Sequence, residues 1–116
     1  MSQNRNKLID LFIGNIAMAI VHEILKEAID DENLRGYYDK EFQNSFSVAE
    51  KYRNLINPAN RPLPEEDTAD IKDSIMKKVR AELLLRTSKG YKNINMSLIE
   101  EFTDETLEKM NVIKKR

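Results

Sequence analysis

The sequence contains no cysteine and no tryptophan, and in 116 residues it has one histidine, three glycines and three prolines. Without cysteine there is no disulfide and no thiolate metal site, which fits a protein of the reducing cytoplasm. A single neutral imidazole does not build a zinc centre without thiolates or further histidines. The glycines, Gly14, Gly36 and Gly90, stand apart from one another, so no phosphate-cradling loop is formed. Serine nucleophiles have no base other than His22, which leaves acyl-transfer chemistry unsupported. An excess of one charge is missing too. The net charge of −1 gives no overall attraction to nucleic acid or to an anionic membrane. No stretch alternates with period two, so no strand is expected, and no repeat unit is visible.

What is there is helical. Hydrophobic residues make up 41% and charged residues 34%, enough for one domain over residues 1–116 with a core and a charged surface. The most apolar stretch is residues 8–29, LIDLFIGNIAMAIVHEILKEAI. Its apolar residues recur at helical spacing through Ile9, Ile13, Ile16, Ile20 and Ile24. Lys7, Asp10 and Gly14 mark one side of its first half, whereas Glu23, Lys26, Glu27 and Asp30 mark roughly the opposite side of the second. Residues 16–21 are apolar all round, which predicts a helix enclosed on every side. The uninterrupted run from Leu11 to Val21 is too short for a membrane span, which takes about 20 residues. No small-residue cleavage site follows it, which argues against a signal peptide.

Residues 30–36, DDENLRG, close this helix, and Asp30 or Asp31 is placed to cap the next. That second helix runs to about Asn57, starting near Glu32 or only near Asp39 because of Gly36. Leu34, Tyr38, Phe42, Ser45, Ala49, Tyr52 and Ile56 share one face, with Phe46 on one flank and Tyr37, Val48 and Leu55 on the other. Pro58, Pro62 and Pro64 predict a stiff extended connector. A third helix spans about Glu65 to Lys89, with Asp67 as a cap and Gly90 at its C′ position. Ile71, Ile75, Met76, Val79 and Leu83 form its core face, and Leu84 falls outside that stripe. Ser97 and Glu100 match the S-x-x-E capping box that opens the last helix, and Thr103-Asp104 offers a restart.

Three constellations could carry function. His22 begins HEILK, which matches the zinc-protease pattern H-E-x-x-H except that Lys26 stands at the second histidine. Asn15 lies on nearly the same side as His22, and such a polar pair can set register across a helix interface. Glu66, Asp70 and Asp73 share one helical face, and Glu101, Asp104, Glu105 and Glu108 share another. Facing sets of that kind can hold Mg²⁺. Helical nucleotide pyrophosphohydrolases use E-E-x-x-E followed by E-x-x-D. Glu101-x-x-Asp104 meets the second half, but Ala69 stands where the first half needs its last carboxylate. Finally, Lys77, Lys78, Arg80, Arg86, Lys89 and Lys92 gather near Tyr91 against Glu82 alone, a pattern compatible with phosphate binding.

These features predict an all-α bundle of about four main helices around a buried N-terminal helix. The leading expectation for function is a non-catalytic, cytoplasmic interaction or assembly module, needing no cofactor and pairing with itself as a homodimer. The expected interface holds Asn15, Ile16, Ile20, His22 and Leu84, because the apolar surface looks larger than one small bundle can close. Nucleic-acid binding through residues 77–92 is the alternative, and a Mg²⁺-dependent nucleotide hydrolase the second. No membrane partner is expected.

Overall fold

The computed structural model describes residues 5–56 and 63–113. Among the described residues four helices make up the fold: α1 (Arg5–Glu27), α2 (Glu32–Ile56), α3 (Glu65–Ser88) and α4 (Leu98–Lys109). No strand occurs among the described residues. α1 packs against each of the other three, α3 also packs against α4, and α2 packs against α1 alone. The expected central helix is therefore found. Phe12, Ile16, Ala19, Ile20, Val21, Ile24 and Leu25 have no exposed surface at all. The stretch that is apolar all round is the stretch with neighbours on every side. Over its whole length α1 is long and apolar enough to cross a membrane, which the uninterrupted run alone is not. Of an 18-residue apolar stretch within it, 61% is buried by the protein's own packing, as in a core helix.

Direction follows from three ion pairs. Lys26 near the end of α1 meets Asp39 near the start of α2 at 3.1 Å, so these helices are antiparallel. Lys72 meets Asp104 at 2.9 Å, and the tail after α4 returns to the segment before α3, where the Leu63 N–H donates to the Val112 carbonyl. That pair is antiparallel as well. Arg5 meets Asp67 at 2.7 Å, so α1 and α3 start at the same end and run in parallel. The long α2 carries the chain back to the start of α1, and α3 begins there.

The helix ends are largely determined locally. Asp31 caps α2, its Oδ1 accepting from the N–H groups of Asn33 and Leu34 at 2.8 and 3.2 Å. α2 therefore starts at the earlier of the two expected positions and runs straight through Gly36. α3 stops where Gly90 takes φ +103°. The N–H of Gly90 donates to Thr87 and that of Tyr91 to Arg86, a Schellman closure. α4 ends the same way with Asn111 at φ 56°, its N–H bonded to Glu108 while that of Val112 reaches Leu107.

Three local expectations change. Asp67 does not cap α3, whose N-cap is Pro64, but pairs with Arg5. Ser97 caps nothing through its side chain: it sits in the helical region, and Asn95 Oδ1 accepts from both its N–H and its hydroxyl. α4 passes through Thr103 unbroken, because that hydroxyl donates back to the Ile99 carbonyl at 2.6 Å. The proline connector expected at residues 58–64 lies largely outside the described residues, as do Lys114, Lys115 and Arg116.

Candidate interaction surface

α2 is the exposed side of the bundle. Only Tyr38, Ala49 and Arg53 are buried along its 25 residues, because a helix packed on one neighbour has one covered face. Its apolar arc is wider than that face. Tyr37 (55% exposed), Val48 (40%), Leu55 (59%) and Leu34 (48%) all face solvent. At about 100° per residue these four fall within an arc of about 60° and stretch along about 31 Å of helix. Leu34 was expected on the core face. It lies in the first turn of α2, past the level at which Lys26 and Asp39 meet, where α1 has already ended. Tyr37, Val48 and Leu55 occupy the flank that the sequence pattern places beside the core.

A second cluster joins the end of α1 to α2 and α3. His22 stacks on Tyr38 with ring centroids 5.7 Å apart and planes at 27°. Its Nδ1 is buried and has no hydrogen-bond partner among the described residues. Burial lowers the imidazole pKa below its usual value, more than the carboxylate of Glu41 raises it. The Tyr38 hydroxyl shares a 3.0 Å hydrogen bond with that of Tyr91, and burial is the main reason its pKa is pushed up to about 12. The Arg86 guanidinium lies 5.6 Å from the Tyr91 ring centroid and donates to Glu82 at 3.0 Å.

The expected interface residues are dispersed by the fold. Ile16 and Ile20 are sealed inside one chain, and His22 keeps 8% of its surface. Asn15 is half-buried and donates to the Leu11 carbonyl one turn back at 2.8 Å, not across an interface. Leu84 alone is freely exposed, at 56%, with Leu85 beside it. One chain therefore suffices to cover the centre of α1, and the uncovered apolar surface lies elsewhere.

The two acidic sets do not converge. Glu66, Asp70 and Asp73 are exposed, while Glu65, Thr68, Ala69 and Lys72 line the groove facing Glu100, Asp104 and Glu108 on α4. Glu101 and Glu105 are exposed, and Asp104 is held by Lys72. Among the described residues no three carboxylate or histidine side chains are grouped to hold a metal ion. The basic segment is likewise divided. Lys77 pairs with Asp73 at 3.0 Å and Arg86 with Glu82. Lys77 and Arg80, three residues apart, share one side of α3, while Lys78 projects about 100° away from Lys77. Lys78, Arg80, Lys89 and Lys92 remain exposed.

A buried guanidinium is the residue that sequence reasoning passed over. Arg53, 1% exposed, reaches from α2 to the carbonyls that follow α4. Its only advance signal was a cation on the apolar side of α2. The fold and this surface describe an all-α four-helix bundle with one helix covered on a single side. No family model, curated protein or solved structure matches the chain.

Proposed function

We propose that the protein is a non-catalytic helical interaction module of the cytoplasm that associates with itself as a homodimer. The observation that carries this reading is the row Leu34, Tyr37, Val48 and Leu55, exposed along the one helix with a single neighbour. Isolated exposed leucines need no explanation, but adjoining apolar side chains mark an interaction site. Leu34 adjoins Tyr37 at one end of this row, and Val48 and Leu55 lie one heptad apart toward the other, with Glu41, Asn44 and Lys51 interspersed. Leu84 and Leu85 add a second exposed pair on α3. Nucleic-acid binding finds less support, since Lys77 and Arg86 already have carboxylate partners.

Sedimentation of the wild type from micromolar to near-millimolar concentration tests the reading. A reversible monomer–dimer equilibrium is the expected result. A monomer throughout that range overturns it.

A further inference from the structure

We infer that two copies of the chain pair through α2, antiparallel, along a seam formed by Tyr37, Glu41, Asn44, Val48, Lys51 and Leu55. This rests on the self-association reading above and assigns it a surface. These six positions are spaced alternately by four and three residues, the spacing of a coiled-coil seam. Tyr37, Asn44, Val48, Lys51 and Leu55 are exposed, and Glu41 is half-exposed. Among the helices only α1 packs against α2, on a face about 110° round from this seam.

Charge decides the orientation. In a parallel pair Glu41 would meet the partner's Glu41 and Lys51 the partner's Lys51, two like-charge contacts. In an antiparallel pair centred near residue 46, Tyr37 meets the partner's Leu55, Glu41 the partner's Lys51, and Asn44 the partner's Val48. The two-fold axis then repeats all three layers, so two apolar and two opposite-charge layers flank two central layers of Asn44 against Val48. Slipping by one heptad in one direction would set Leu34 against the partner's Lys51 and leave Leu55 without a layer. In the other direction Val48 would meet the partner's Lys51. Only the centred register satisfies both ends. Ser47, one residue from the axis and about 80° from the middle of the seam, would flank the contact beside its own copy.

Charge reversal tests this on the full-length protein. Glu41→Lys and Lys51→Glu each replace two attractions by two repulsions, and each should weaken dimerisation about tenfold. The double variant E41K/K51E restores opposite charges in both layers and should return affinity to within about threefold of wild type. Circular dichroism checks that each variant keeps its helix content. Under mild oxidation Ser47→Cys should give a disulfide-linked dimer and Leu55→Cys should not. If the wild type dimerises but neither reversal weakens the dimer, or if Leu55→Cys cross-links and Ser47→Cys does not, the α2 pairing is overturned while self-association stands. A wild-type monomer overturns both.

Discussion

Arg53 on α2 donates from Nε to the carbonyl oxygen of Met110 at 3.0 Å and from Nη2 to that of Asn111 at 2.8 Å. The helix bodies of α2 and α4 do not pack on one another. This side chain is therefore a direct tie between them, and it satisfies carbonyls that the end of α4 leaves without helical partners. Arg53→Met keeps much of the volume but removes both of these charge-assisted hydrogen bonds, and a loss of about 2–4 kcal/mol is expected. Arg53→Lys, lacking the planar fork, should recover only part. Urea unfolding of the three proteins measures this, and an unchanged midpoint for Arg53→Met would show the contact to be dispensable.

His22 makes stability depend on pH. Its folded-state pKa lies below the ordinary value of 6.5 because burial disfavours the imidazolium, with Arg86 acting the same way and Glu41 and Glu82 opposing. The unfolded chain therefore binds the proton more readily than the folded one. This contribution is fully present above pH 6.5 and falls away as the pH drops toward the folded-state pKa. His22→Phe retains an aromatic ring against Tyr38 without a titrating group. Between pH 7.5 and 5.5 its melting temperature should decline less than that of the wild type, by a difference of at least about 2 °C. Parallel curves for the two proteins would remove His22 as the cause.

The start of α4 separates a motif from its geometry. Ser97 looks like the cap, but Asn95 accepts the two hydrogen bonds that shape the turn. Asn95→Ala should therefore cost about 1 kcal/mol. Ser97→Ala should cost less than about 0.5 kcal/mol. Thermal unfolding of both variants decides between the residues, and the reverse order would restore Ser97 to the role its sequence suggests.

Local signals carried far into this fold. The period of residues 8–29 placed a helix that is enclosed on all sides, because a segment apolar around its circumference has no low-energy position at a surface. Gly90 closed α3 where expected, since its conformation with positive φ carries little penalty for glycine. Asn111 closes α4 by the same geometry, asparagine being the residue other than glycine that most readily takes positive φ.

The sequence by itself determined that the chain is all-helical, that its N-terminal helix is central, and where α3 begins and ends. Those outcomes depend on period, capping and glycine placement, which act within a few residues. Only the tertiary structure decided which apolar residues are covered. Ile20 and Leu55 look alike in the sequence, yet one has no exposed surface and the other keeps 59% of it. The difference is that α1 has three neighbours and α2 has one. The tie from Arg53 to Met110 crosses 57 residues and was equally invisible, because no local pattern encodes which distant carbonyl a buried guanidinium will meet.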